Sequence, residues 1–151
     1  MDISTLSPQA LARACAQAMW QDDRATQHLD MKLDLEQVGP GTATIQMRID
    51  ASMLNGHRTC HGGYMFTLAD SAFAFACNTY NQRTVAQHCS VSFLAPAFEN
   101  DVLTATAREI SRSGRSGIYD VVIRNQDGAH IAEFRGHART IKGTLLPESA
   151  P

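Results

Sequence analysis

Apolar and polar residues alternate along several short segments of this chain, which is the pattern of strands with one buried face. Turn-forming residues separate most of these segments, and strands joined by short turns favour an antiparallel sheet. The first two strands are expected to form a hairpin and the last four a meander. The alternating segments cover residues 31–38, 43–49, 89–93, 103–107, 119–123 and 132–138.

One longer segment, CHGGYMFTLADSAFAFAC at residues 60–77, has the composition of a helix that is apolar on nearly every side. It is expected to begin near Gly62 and to end near Asn78. A separate amphipathic helix is indicated near the N-terminus, where Ser7 and Pro8 can serve as N-cap and first helical residue. Because only the central helix is apolar enough to be buried, the pattern predicts an α+β domain in which one sheet curls around it.

The 151 residues are 44% hydrophobic and carry a net charge of -2, so a single domain with its own core is expected. The basic residues are mostly arginine and are scattered along the chain, which argues against nucleic acid as a partner. The chain lacks an apolar stretch of membrane-spanning length and the pattern of a secretory leader. We therefore expect no membrane partner and a cytoplasmic location. The four cysteines form no CxxC pair and are expected to be reduced thiols.

A single carboxylate, Asp70, lies in the middle of the apolar helix. An ionised group in a buried helix is strongly disfavoured unless another group pairs with it or function requires it. One interpretation is structural: Asp70 bonds to Thr67 or caps a neighbouring element. The other is functional: Asp70 acts as a general base or as a nucleophile. Phe66 and Phe73, one turn to either side, are expected to pack in the core.

The helix begins at two glycines, Gly62 and Gly63, which let a ligand approach the backbone closely. The unpaired N–H groups at a helix start attract negative charge, including the oxyanion of a reacting carbonyl. The alternative is that the two glycines only form a tight turn. Gly62 and Asp70 are about 12 Å apart along one helix at 1.5 Å per residue. Both can act on one carbonyl only if two subunits place their helices side by side in antiparallel directions.

Four short motifs surround this helix: NGH at 55–57, CHGG at 60–63, LAD at 68–70 and ACN at 76–78. Together they resemble the signature of hotdog-fold acyl-CoA thioesterases, specifically the phenylacetate-degradation (PaaI) subgroup. HGG followed by LAD at this spacing is the specific part of the resemblance. Weaker similarity continues through the later segments SFLAPAF, LTATA, GIYDVVIRNQDG and FRGHARTI.

The resemblance implies a hotdog fold, in which a curved antiparallel sheet wraps one long central helix, dimers share a continuous sheet and two dimers form a homotetramer. It also implies hydrolysis of phenylacetyl-CoA or hydroxyphenylacetyl-CoA to the free acid and CoA in phenylacetate degradation. By position, the N–H of Gly62 would polarise the thioester carbonyl, and Asp70 of the partner subunit would activate water or attack directly. Asn55 and His61 would position the thioester and the loop, and Gly63 would contact the substrate.

The resemblance extends over most of residues 25–143, which are assigned to the thioesterase domain. Residues 1–24 form an N-terminal helical segment outside the matched part. Residues 144–151 are expected to be a disordered tail.

Arg112 and Arg115, in the connection SRSGRSG, are candidate ligands for the CoA phosphates, or they belong to a solvated turn. His57, Cys60 and His61 lack a fourth ligand at a spacing suited to zinc, so no metal and no cofactor are expected. Two alternative functions remain. An acyl-CoA-binding sensor would be expected to carry a DNA-binding segment, and an acyl-thioester hydratase or dehydratase would need a histidine with a carboxylate on the active helix.

Overall fold

The computed structural model describes residues 2–148 of the chain. Its helices are α1 (Pro8–Asp22), α2 (Arg24–His28) and α3 (Gly62–Cys77). Its strands are β1 (Lys32–Leu33), β2 (Thr42–Arg48), β3 (Thr84–Phe93), β4 (Val102–Ser113), β5 (Ser116–Arg124) and β6 (His130–Thr140). Short 3-10 turns cover Ile3–Thr5, Leu35–Gln37 and Ala51–Met53.

The six strands of this part of the chain form one antiparallel sheet in the order β1-β2-β4-β5-β6-β3. The predicted α+β architecture, a single sheet around α3, is confirmed. The predicted meander holds for β4, β5 and β6 but is wrong for β3, which lies at the far edge beside β6. The connection through residues 94–101 can extend over roughly 27 Å, and β3 and β4 are three strand spacings apart, roughly 14 Å. The chain can therefore pass the ends of two strands.

Residues 31–38 form less strand than the alternation predicts. Only Lys32 and Leu33 pair with β2, in the antiparallel direction expected for a hairpin. The carboxylate of Asp34 then accepts the N–H of Glu36 at 3.1 Å and starts a 3-10 turn. Such local bonds of an aspartate to its own backbone compete with strand pairing, so the strand ends early.

The middle of α3 is buried against the sheet through aromatic rings. Phe73 contacts Tyr119 of β5 and Phe134 of β6, with ring centroids 5.6 and 5.8 Å apart. Phe66 meets Phe134 at 5.5 Å. The packing role predicted for Phe66 and Phe73 is confirmed. Full burial of a side chain of this size stabilises a fold by about 1.5–3 kcal/mol.

The start of β3 is fixed to the end of α3 by Asn78, the residue at which the helix was expected to end. Its side-chain nitrogen donates to the carbonyl oxygens of Ala74 and Thr84, and its Oδ1 accepts the N–H of Thr84, each at 2.9 Å. Asn78 is buried, where an unsatisfied amide costs about 1–3 kcal/mol. These three bonds hold the first residue of the edge strand against the last turn of the helix.

The N-terminal helical segment packs on the same core as the sheet. Ser7 caps α1 by accepting the N–H of Ala10 at 3.1 Å, and Pro8 is the first helical residue, as predicted. The hydroxyl oxygens of Thr26 in α2 and Ser71 in α3 are 3.2 Å apart. The buried residues of α1 are Ala12, Cys15 and Ala16.

The described part of the C-terminal tail bonds back to the loop that follows α3. The Oδ1 atom of Asn81 accepts the N–H groups of Leu145 and Leu146 at 3.1 and 2.8 Å. Residues 149–151 lie outside the described residues. The division into residues 1–24, 25–143 and 144–151 stays a prediction, and its first border falls within α2.

Replacing Gly136 by alanine should destabilise the fold, although alanine ordinarily suits a strand better than glycine. A Cβ atom at this position would lie 2.7–2.8 Å from three ring atoms of Phe73, and such overpacking costs about 1–3 kcal/mol. Urea unfolding measures the loss. Gly56→Ala is the matched control, because nothing lies within 4 Å of its Cβ position. Equal effects in the two variants would contradict the packing described for Phe73.

Candidate functional site

The first N–H groups of α3 are divided between a cap and an open position. His61 is the N-cap, and its Nδ1 accepts the N–H of Gly63 at 2.9 Å. The N–H of Gly62 meets no hydrogen-bond acceptor within residues 2–148. This open donor lies at the positive end of the helix dipole, where an anion or a polarised carbonyl can bind. Of the two glycines, Gly62 is thus the one whose amide is available to a ligand.

Asn55 organises the loop that leads into α3. Its Oδ1 accepts the N–H groups of His57 and Thr59 at 2.9 and 3.3 Å, and its Nδ2 donates to the Thr59 hydroxyl at 3.1 Å. The N–H of His61 bonds to the carbonyl oxygen of Met53 at 2.8 Å and anchors the end of the loop. Within the chain, Asn55 holds the loop and His61 holds the helix start. Their contact with a substrate stays a prediction.

Asp70 is half-buried, and its carboxylate forms no hydrogen bond or ion pair with any residue in the described range 2–148. Thr67 instead donates its hydroxyl to the carbonyl oxygen of Gly63 at 2.9 Å, so the structural interpretation in which Asp70 bonds to Thr67 is wrong. Burial raises the pKa of the Asp70 carboxyl. A carboxylate with raised proton affinity and no partner is suited to accept a proton from a substrate or from water.

Two thiols share the surroundings of Asp70. Burial raises the pKa of Cys77 to about 12, and the charge of Asp70 contributes to the shift. Burial and the same charge raise the pKa of Cys89, which lies on the edge strand β3. The charge of Asp70 therefore acts on a thiol of the edge strand as well as on one at the end of its own helix. All four cysteines are unpaired, as predicted, and thiols of such high pKa are poor nucleophiles.

Within one chain, Gly62 and Asp70 are too far apart to contact the same substrate atom. Gly62 and Asp70 lie two turns apart on α3, about 12 Å along its axis. The nearby strand β3 pairs only with β6, so one side of its backbone lacks a strand partner among residues 2–148. Most residues of β3 are exposed. A long exposed edge of this kind is a surface on which another strand can pair.

Phe93 covers the backbone of Gly62, and the sequence motifs did not single it out. A Cβ atom on Gly62 would lie 2.8 Å from the Cζ atom of this ring and 3.1 and 3.2 Å from its two Cε atoms. Because Cζ and both Cε atoms are at similar distances, the Cβ position of Gly62 lies above the face of the ring, near its Cζ atom. The sequence pattern that could have indicated Phe93 is the alternation of residues 89–93, which puts Phe93 on the same side of its strand as Cys89.

The two arginines considered for the CoA phosphates differ in their surroundings. The Cζ atom of Arg112 lies 3.5 Å from the ring centroid of Tyr80, and its Nε is 3.6 Å from Oε1 of Glu109. The same oxygen accepts hydrogen bonds from the hydroxyls of Tyr80 and Tyr119, each at 3.0 Å. Arg115 is exposed between β4 and β5. Arg115 is thus the arginine that is more open to a ligand.

The groups available beside α3 are an open amide donor and an unpaired carboxylate. Over residues 2–148, no three side chains of His, Cys, Asp or Glu are placed to hold a metal ion. None of the helices described in this range is both long and apolar enough to span a membrane.

Comparison with protein families matches residues 57–132 to the thioesterase superfamily, and the chain belongs to this family of hotdog-fold enzymes. The predicted family, fold and enzyme class are confirmed. The chain is 42% identical over 134 residues to the acyl-coenzyme A thioesterase PaaI of Escherichia coli strain K12. That match covers 89% of this chain and 94% of the relative.

Two solved structures extend the similarity to three dimensions. The E. coli PaaI protein from the phenylacetic acid degradation operon superimposes with a TM-score of 0.89 at 40% identity, covering 91% of this chain and 99% of that one. A mutant of the phenylacetic acid degradation protein PaaI from Thermus thermophilus gives a TM-score of 0.74 at 32% identity. It covers 79% of this chain and 100% of that one.

The pH dependence of stability should reveal the unpaired carboxylate. Because burial raises the pKa of Asp70 above its ordinary value of 3.8, the folded protein binds this proton more tightly than the unfolded chain does. The tighter binding of the proton by the folded protein contributes to stability at low pH, and this contribution is lost as the pH rises through the raised pKa. Asp70→Asn should match the wild type at low pH and be more stable at neutral pH. The gain should stay below about 1 kcal/mol, because solvent screens a half-exposed group.

Asp120→Asn is the control, for which the expected change in stability at neutral pH has the opposite sign. The hydrogen bonds from Arg135, at 2.6 and 2.9 Å, and the charge of this arginine lower the pKa of Asp120. Its contribution is present at neutral pH and is lost as the pH falls through the lowered pKa, so this variant should be the less stable one at neutral pH. Urea unfolding across the pH range measures both variants. A destabilised Asp70→Asn variant at neutral pH would show that Asp70 has a stabilising partner.

Proposed function

We propose that this thioesterase hydrolyses aryl-acetyl-CoA esters, phenylacetyl-CoA or hydroxyphenylacetyl-CoA, to the free acid and CoA in phenylacetate degradation. The observation that carries the proposal is the combination, on one helix, of the open Gly62 amide and the unpaired Asp70 carboxylate. The substrate class is supported by the similarity to the acyl-coenzyme A thioesterase PaaI and to the phenylacetic acid degradation proteins.

The chemistry needs few catalytic groups, because a thioester is weakly stabilised by resonance and has a good thiolate leaving group. With Asp70 as general base, the carboxylate takes a proton from water while the water oxygen bonds to the carbonyl carbon. The carbonyl oxygen becomes an oxyanion that accepts the N–H of Gly62. Collapse of this intermediate breaks the C–S bond and releases CoA as the thiolate. With Asp70 as nucleophile, the carboxylate displaces the thiolate to form an anhydride, which water then hydrolyses.

In the proposed enzyme, the amide and the carboxylate of one site come from two subunits. Antiparallel pairing of two β3 strands would continue the sheet and lay two α3 helices side by side in opposite directions. Gly62 of one subunit would then approach Asp70 of the partner subunit. The exposed edge of β3 and the lack of a partner for Asp70 within residues 2–148 support this arrangement. A homotetramer of two such dimers is the further expectation from the subgroup.

The remaining parts of the proposal concern the CoA moiety and the compartment. Arg115 is the better candidate for the CoA phosphates, because Arg112 would have to leave Tyr80 and Glu109 to bind them. Hydrolysis by a base and an amide donor requires no cofactor. A cytoplasmic location is supported by the four unpaired cysteines, which stay reduced in that compartment.

Release of free CoA thiol from phenylacetyl-CoA tests the activity, and two substitutions at Gly62 isolate its amide. Gly62→Pro removes the N–H but suits the first helical position, and the φ and ψ of His61, -61° and 132°, are acceptable before a proline. Gly62→Ala also adds a Cβ but keeps the N–H. The proline variant should lose about 100- to 1,000-fold in kcat relative to the alanine variant.

Asp70→Asn should lower kcat by about 100- to 10,000-fold, whereas Asp120→Asn should leave it unchanged. Solution mass of each variant shows whether the assembly persists. Binding of phenylacetyl-CoA without turnover by the wild type would support the acyl-CoA sensor instead. Addition of water to an unsaturated acyl-CoA would support the hydratase.

Mixing two inactive variants tests whether the site is shared between subunits. Asp70→Asn chains keep the Gly62 amide and Gly62→Pro chains keep Asp70, so a mixed dimer contains one complete site. Random pairing of equal amounts makes half of the dimers mixed, and about a quarter of the wild-type sites should be restored. Co-expression with two different affinity tags provides the mixed dimers. A purified mixed dimer as inactive as its parents would contradict a shared site.

A further inference from the structure

Phe93 lies beside the open amide without being part of the enclosed core. The residue is 52% exposed in the single chain, whereas Phe73 and Phe134 are almost completely buried. Its backbone is fixed by pairing with Ala132 of β6 at the end of the edge strand. The strand therefore fixes the backbone from which the ring extends over Gly62, and about half of the residue is left exposed.

The ring of Phe93 occupies the space that a side chain at position 62 would need. The backbone of Gly62 is not in the left-handed region, so its conformation would accept alanine. The ring atoms lie 2.8–3.2 Å from the Cβ position, so the ring would have to shift to admit a methyl group. Gly62 and Phe93 together form a surface on which an aromatic ring borders an unpaired N–H donor.

We propose that Phe93 is a specificity-determining residue, whose ring forms one wall of the acyl pocket and favours aromatic over small aliphatic acyl groups. The inference rests on the proposed thioesterase function and on the binding of the thioester carbonyl to the Gly62 amide. A carbonyl oxygen bound to that amide lies next to the ring of Phe93. In a phenylacetyl thioester, a single methylene group separates the carbonyl from the phenyl ring. The phenyl centroid is then roughly 4 Å from the carbonyl carbon.

A phenyl ring attached at that distance can reach the 4.5–7 Å centroid separation from Phe93 over which aromatic rings attract each other. An acetyl group has no ring and gains nothing from this contact. The ring of Phe93 also covers one side of the Gly62 backbone, and once substrate is bound this apolar cover would strengthen a hydrogen bond to an oxyanion for every acyl group. The two effects are separable, because leucine would retain the apolar cover but not the aromatic face.

The ratio of kcat/KM for phenylacetyl-CoA to kcat/KM for acetyl-CoA tests the inference in the intact oligomer. Phe93→Leu should lower this ratio by about threefold to tenfold, the range expected for one aromatic contact. Phe98→Leu is the matched control, because Phe98 is equally exposed, at 52%, but is not among the atoms nearest to Gly62. Its ratio should equal that of the wild type.

An unchanged ratio in Phe93→Leu, or equal losses for both substrates, would show that the ring only packs and would overturn the inference. The wild-type measurement separates this outcome from failure of the proposed function, which would appear as no release of CoA from phenylacetyl-CoA. Solution mass identifies a variant whose losses come from dissociation. Such dissociation in Phe93→Leu, with the ratio preserved, would assign the ring to the subunit interface instead.

A double substitution tests the contact itself. Gly62→Ala should reduce kcat in the wild type, because the added methyl group displaces the ring of Phe93. In the Phe93→Ala background the methyl group has space, so Gly62→Ala should cost at least about threefold less. An equal cost in both backgrounds would show that Phe93 is not what excludes a side chain at position 62.

Discussion

The packing of α3 against one face of the sheet is the contact on which the rest of the structure depends. Phe73 fills the space between the helix and the bare backbone of Gly136, and Tyr119 and Phe134 enclose it. Asp70 is only half-buried, and its charge acts on Cys89 of the mostly exposed edge strand β3. A carboxylate turned toward the core would be removed from water without gaining a hydrogen-bond or ion-pair partner. The fold could not offset that desolvation free energy. The same packing therefore admits the carboxylate and keeps it accessible to a second chain or to a substrate.

Much of the fold could be predicted from the sequence because two of its features are local. The apolar composition of residues 62–77 and the alternation along most strands follow directly from which face each element buries. The position of β3 could not be predicted in the same way, since a connection such as 94–101 permits more than one neighbour. The early end of β1 is explained by local hydrogen bonds to the Asp34 carboxylate, which hydrophobic patterning does not encode.

The candidate site was predictable where chemistry marks the residue. Asp70 is conspicuous as a lone carboxylate among apolar neighbours, and Gly62 as a glycine at a helix start. The sequence could not predict the specific side-chain contacts of the site. These are the hydrogen bond from the Gly63 amide to His61, the ion pair between Arg112 and Glu109, and the packing of the Phe93 ring over Gly62. Phe93 is remote from α3 along the chain, and its strand reaches the helix start only when the sheet has formed.

The amide of Asn78 joins β3 to α3, so the edge strand and the helix keep a fixed offset. If a partner strand paired with β3 in a shifted register, a shift of one residue would turn its side chains to the opposite face of the sheet. The smallest shift that keeps each side chain on its face is two residues, or about 6.8 Å. The helix tied to a sliding partner strand would travel the same length past α3. That length exceeds the reach of a hydrogen bond more than twofold. Because Asn78 ties each helix to its strand, a dimer paired two residues out of register would thus be folded but inactive, although Asn78 itself has no assigned contact with substrate.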